Sequence, residues 1–150
     1  MTTAVDDLEK LLEMWEADAP VDTTNYGSES VRTAKLHAKY LKILSRNSMI
    51  VKRLDIEYKN IRAIRSKYYE GKMDQAELAK YGWPQYQFTL KLREQREAAL
   101  EGDEFLLKIT GKKIYHEEIV AACTAIIKEL GNRTWEIKSA IDYIRFTNGG

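Results

Sequence analysis

Apolar side chains recur at helical spacing almost from end to end of this chain. Leu8, Leu11, Leu12 and Trp15 fall at i, i+3, i+4 and i+7, the stripe of a helix over residues 5–17. Pro20 and the polar run VDTTNYGSES break that pattern, and Asp22, Thr23, Thr24 or Ser28 are candidates to cap the second helix. That helix is predicted over residues 30–69, a span without proline or glycine. Its apolar positions Leu36, Ile43, Ile50, Leu54, Ile61 and Tyr68 lie within about 40° of one another on a helical projection. So narrow a stripe needs a partner helix. At about 60 Å the helix is longer than one small domain requires, so it pairs along its length or crosses a subunit boundary.

Gly71 is the natural end of that helix. GKMDQAELAKYGWPQ reads as a short helical turn and loop. Pro84 fits the first position of a further helix over residues 84–100, with Phe88 and Leu92 on one side. LEGDEF marks a break before residues 103–130, where Ile119, Cys123, Ile126, Ile127 and Leu130 form a broad apolar face and Gly111 is a possible interruption. FLLKIT at 105–110 is also compatible with a strand. GNRT signals a last turn, and residues 134–146 a closing helix. That helix is apolar on two sides: Ile137, Ile141 and Ile144 form one stripe, and Trp135 and Phe146 lie together nearly opposite. A terminal helix with two apolar faces points to oligomer contacts; a central core helix is the alternative. The fold class is all-α: a long basic central helix, shorter helices before and after it, and a helical C-terminal oligomerisation region. Residues 1–72 and 73–150 form two halves of one structural unit.

Composition narrows the class. The 150 residues are 44% apolar and 31% charged, an ordinary globular balance at its polar end. No apolar run is long enough to span a membrane. The acidic, amphipathic start lacks the features of a secretion signal. Cys123 is the single cysteine, sits in an apolar run, and reads as a small core residue in a reducing compartment. Charge is unevenly spread. Residues 1–31 carry eight acids and one cation, residues 32–72 twelve cations and three acids, and residues 73–150 eleven cations and twelve acids. A basic block beside an acidic arm suits a polyanionic partner, and equally a solvated face with self-complementary electrostatics.

Catalysis has little to draw on. His37 and His116 have no metal-ligand spacing around them, no glycine-rich phosphate loop is present, and Cys123 has no cationic neighbour to activate it. The expectation is a protein without enzymatic activity, metal or cofactor. The basic block offers more. Lys35, Lys39, Lys42, Arg46 and Arg53 cluster on one flank of the apolar stripe, and Lys59, Arg62, Arg65, Ser66 and Tyr69 on the other. Cations neutralise phosphates and release counterions, and aromatic rings stack on unpaired bases. A row of Arg, Arg, Lys, Tyr and Tyr therefore suits a single strand. Tyr68 belongs by angle to the packing stripe, which leaves Tyr69 as the stacking candidate. Lys59, Arg62, Arg65, Lys67 and Tyr69 are the predicted DNA-binding residues, and Trp135, Ile137, Ile141, Ile144 and Phe146 the predicted oligomer interface.

The segments VDTT (21–24), AKYLKILSRNS (38–48), LDIEYKNIRAIRSKYYEG (54–71) and NRTWEIKSAIDYIRF (132–146) together resemble the UvsY family of tailed-phage recombination mediators. The resemblance covers roughly residues 5–150 and is weakest over 72–115. It implies a protein without catalytic activity that binds single-stranded DNA, the phage recombinase and the phage single-strand-binding protein. It further implies loading of that recombinase onto coated strands, and a ring-like homo-oligomer assembled through the C-terminal region. In the family's LKARLDYYSG pattern a lysine and an arginine two apart are implicated in DNA binding. The arginine matches Arg65, the lysine position falls on Ala63, and the aspartate before the tyrosines is Lys67. The implied location is the cytoplasm of the infected bacterial host, with no membrane partner. The alternative is a helical scaffold whose basic helix docks an acidic protein segment.

Overall fold

The computed structural model describes residues 4–149, which form five helices and no strand: α1 (Ala4–Asp18), α2 (Tyr26–Tyr69), α3 (Gln75–Tyr81), α4 (Arg93–Glu101) and α5 (Glu104–Thr147). The periodicity finds α1 and α2 almost to their ends. The cap of α2 is Asn25, whose Oδ1 accepts from the Ser28 N–H at 3.1 Å. Asp22 instead closes the preceding turn on the Thr24 N–H.

Two compact units cut across the expected division at residue 72. Unit 1 comprises Met1–Ile50 with Tyr115–Gly150, and unit 2 comprises Val51–Ile114, so α2 and α5 contribute to both. In unit 1, Leu11 of α1, Leu36 and Tyr40 of α2, and Ile119, Cys123, Ile126 and Leu130 of α5 make the core. Trp15 meets Tyr40 edge to face at 5.6 Å. Tyr40 is fully buried, and its hydroxyl donates to Asp18 at 2.8 Å. Burial pushes the Asp18 carboxyl up, but hydrogen bonds from Lys39 and Tyr40 outweigh it and hold the group below the usual carboxylate range.

The last turn of α1 has no basic residue of its own, so its free carbonyls and the negative end of its dipole need cations from elsewhere. Two arginines supply them. Arg32 donates to the Asp18 carbonyl at 2.9 Å, and Arg133 donates to the Asp18 and Ala19 carbonyls at 3.2 and 3.1 Å. Glu29, buried, accepts from both arginines. The pattern of apolar residues carries no trace of this polar lock.

Two expectations fail. The helix predicted from Pro84 does not form: residues 82–92 are irregular and α4 begins only at Arg93. The Pro84 carbonyl is taken by the Tyr68 hydroxyl at 2.8 Å instead. The turn predicted at GNRT is absent, because α5 runs unbroken through Gly111 and Gly131. A glycine costs about 1 kcal/mol in a helix interior, which the packing around it offsets: Ile126, Leu130 and Arg133 are all buried. The FLLKIT segment is helical, with Leu106 and Ile109 turned inward at i and i+3. Among the described residues no helix is long and apolar enough to cross a membrane.

Candidate nucleic-acid interface

The expected interface lies in unit 2, along the second half of α2. That helix stops at Gly71, which takes φ +69°. The Gly71 N–H bonds the Tyr68 carbonyl and the Lys72 N–H bonds the Lys67 carbonyl, the paired closure of a Schellman motif. Helix α3 ends the same way at Gly82, and Asp74 caps its start through the Glu77 N–H. These two sharp stops fold residues 72–92 back onto α2. Tyr68, Tyr69, Met73, Leu78, Leu100 and Leu106 form the core they enclose.

The site residues then separate into two sets. Arg65 and Tyr69, expected on an exposed flank, are inside. The Arg65 side chain is 8% exposed and that of Asp103 0%, with Nε 2.7 Å from the carboxylate. Tyr69 donates its hydroxyl to the same Asp103 oxygen at 2.6 Å and accepts from Arg65 at 3.3 Å. The guanidinium carbon lies 4.5 Å from the ring centres of Tyr68 and Trp83, 4.6 Å from Phe105 and 5.1 Å from Tyr69. The other Asp103 oxygen accepts the Phe105 and Leu106 N–H groups, which caps α5. Burial pushes the Asp103 carboxyl up, but hydrogen bonds from Tyr69 and Arg65 prevail and hold it below its ordinary range. A cation in a cage of four rings, neutralised by a buried acid, holds three segments of chain together. The flank angle placed Arg65 and Tyr69 correctly beside Arg62; it could not show that residues 81–106 cover that side.

The second set faces solvent. Lys52, Arg53 and Lys59 have no ion pair among the described residues, and Ala63, at the family's lysine position, is exposed on the same helix. Lys52 and Lys59 stand two turns apart on one face, about 10 Å along the axis. Arg62 and Lys67 are held by the chain's own acids: Arg62 meets Glu97 at 2.6 Å and Lys67 meets Glu77 at 2.7 Å, all of them at least a third exposed.

The residues of the expected oligomer interface divide as well. Ile137 is buried in unit 1, beside a recess of about 250 Å³ that it lines with Val21, Tyr26 and Ala140. Ile141 is half-buried. Trp135 is 70% exposed and Phe146 84%, and Tyr143 and Ile144 are exposed with them. One of the two apolar faces of this segment is therefore met within the chain at Ile137 and Ile141 but not at Ile144, and the face of Trp135 and Phe146 is left open among the described residues.

The family described as "Recombination, repair and ssDNA binding protein UvsY" matches residues 14–150. Crystal structures of the bacteriophage T4 recombination mediator protein UvsY in two lattices match the fold, with TM-scores of 0.77 and 0.74. They are 23% and 21% identical, and cover 95% and 93% of this chain and 98% of theirs. A search of curated protein sequences finds no match.

Proposed function

Because the chain belongs to the UvsY family of recombination, repair and ssDNA binding proteins, which are non-enzymatic recombination mediators, we propose how it carries out that role. It works in the cytoplasm of the infected host as a ring-like homo-oligomer. It engages a strand coated by single-strand-binding protein and delivers a strand-exchange recombinase to it. The observation that carries this reading is the exposed cationic face of α2 in unit 2. Lys52, Arg53 and Lys59 are unpaired there among the described residues, and Arg62 and Lys67 adjoin them. Each phosphate neutralised by such a face releases counterions, so affinity for a single strand falls with salt at a log–log slope of about −0.7 per contact. Repeating the face around a ring lets several weak patches hold one strand, and linked sites raise avidity without any new contact. The exposed Trp135, Tyr143, Ile144 and Phe146 supply apolar surface for contacts between copies.

Fluorescence anisotropy with single- and double-stranded oligonucleotides over a salt series tests the reading. Preference for the single strand is expected, with a shallower salt slope in Lys59→Ala. Equal affinity for both forms, or none for either, would overturn it. One observation favours the scaffold alternative: Arg62, Lys67 and, in unit 1, Lys39 already hold acidic partners of this chain. If that pairing is the block's purpose, neither DNA form binds.

A further inference from the structure

The sixteen residues Leu78–Arg93 contain no aspartate or glutamate, while Lys80 on one side and Lys91 and Arg93 on the other flank Tyr81, Trp83, Tyr86 and Phe88. Acid-free, cationic and aromatic is the composition that single-stranded nucleic acid selects, because carboxylates repel phosphates and every base has a stacking face. This stretch is the end of α3 and the irregular segment 82–92 of unit 2.

The segment is not loose. Ahead of Phe88, the Trp83 N–H bonds the Leu78 carbonyl at 3.0 Å and the Pro84 carbonyl accepts from Tyr68. Behind it, the Leu90 N–H bonds the Tyr69 carbonyl at 3.0 Å, and Arg96 donates to the Leu90 and Lys91 carbonyls at 3.3 and 2.6 Å. Trp83 stacks on Tyr81 at 4.5 Å and 18°, and also lies against the caged Arg65. Between these anchors Phe88 stands 67% exposed, and its one ring contact among the described residues is Tyr86, edge-on at 6.2 Å. Lys91 and Arg93 are exposed, with no ion pair among the described residues. Arg93 follows Phe88 by five positions, at most about 17 Å when extended.

We propose that Phe88 is a stacking platform for an unpaired base, with Lys91 and Arg93 holding the neighbouring phosphates. The inference rests on the single-strand reading and gives it a base contact that α2 lacks, since Tyr69 is enclosed. The anchors matter energetically: with the backbone held on both sides of Phe88, less freedom is left to lose when a base lands on the ring. Arg65 then acts on DNA from a distance, as a positioning residue, by fixing Trp83 and the loop that carries Phe88.

The test uses the full chain with a labelled oligo-dT and an abasic strand of equal length, at one salt concentration. Wild type is expected to prefer dT. Phe88→Ala should weaken dT binding about five-fold or more, leave abasic binding unchanged, and so erase the preference. Phe88→Trp should retain it, and Lys59→Ala should weaken both strands alike. If Phe88→Ala binds dT as wild type does while Lys59→Ala weakens it, the platform is refuted and the single-strand reading survives. If wild type binds neither strand, both fall. If Phe88→Ala changes the solution mass by light scattering, the ring is a contact between copies and the platform is again refuted.

Discussion

Replacing Arg65 by alanine separates two explanations of the same phenotype. In a surface contact the substitution removes one phosphate partner and leaves the fold intact. In the caged arrangement it removes the cation that pairs with a fully enclosed Asp103, and it empties the space among four rings. Removing one partner of a buried ion pair costs about 3–5 kcal/mol, because the remaining charge stays out of water uncompensated. For a chain of this size about 2–4 °C of melting temperature corresponds to each kcal/mol. The expected drop for Arg65→Ala is thus on the order of 6–20 °C. Lys59→Ala, on exposed helix, should shift the melt by less than about 2 °C. Arg65→Lys keeps the charge but not the planar fork or the ring stacking, and should fall between them. Thermal unfolding followed by circular dichroism, without DNA, reads all three. Binding is then measured well below every midpoint. An Arg65→Ala variant that melts with wild type yet loses DNA would refute the burial argument and return Arg65 to the surface.

Asp103 ties stability to acid. Its carboxyl gives up its proton more readily in the folded chain than in the unfolded one, whose reference value is 3.8. Its stabilisation is therefore complete above that pH and is lost as pH falls further through the lowered folded value. Denaturant titrations from about pH 5 to about pH 2 should show this decline, and Asp103→Asn, though less stable throughout, should show a shallower one. Glu97→Gln releases Arg62 from a half-exposed pair worth at most about 1 kcal/mol. Single-strand binding should tighten and its salt slope steepen by about 0.7, with the melt barely moved; weaker binding would contradict an internal competitor. Trp135→Ala combined with Phe146→Ala should lower the mass seen by light scattering at an unchanged melting temperature, and an unchanged mass would remove these rings from the assembly surface.

Local signals in the sequence served well where one principle dominated. The six apolar positions of α2 are buried or half-buried along its length, because a single stripe against helical neighbours is what the 3.6-residue period encodes. Gly71 ends the helix as its position suggested. Where two local signals competed, the reading went astray. Pro84 looks like a helix start, but its carbonyl and the aromatic rings beside it are needed by the core of unit 2. Gly131 looks like a stop, yet buried neighbours on both sides carry the helix through. Of the residues proposed for the interface, the sequence separated the exposed cations of α2 only in part from the enclosed ones. Lys59 and Arg62 lie outside as their angle requires. Arg65 lies only about 20° from Leu54 on the helical projection and Tyr69 about 60°, so their angle leans toward the packing stripe, but Asp103, which pairs with both, lies 38 and 34 residues away, and no spacing rule reaches so far. The one trace was GDEF itself, where an aspartate before an apolar helical run marks a cap.

The join between α1 and its two arginines changes how the acidic start of the chain can be studied. Removing residues 1–20 looks like a way to delete negative charge and ask whether it competes with DNA. It would also strip Leu11 and Trp15 from a core, and take away the carbonyls that Arg133 and Arg32 hold. The cut piece is part of the masonry, and a truncated chain would report on collapse as much as on charge. Exchanging Glu9, Glu13 and Glu16 for glutamine alters only exposed side chains. It puts the electrostatic question to a chain that still has its walls.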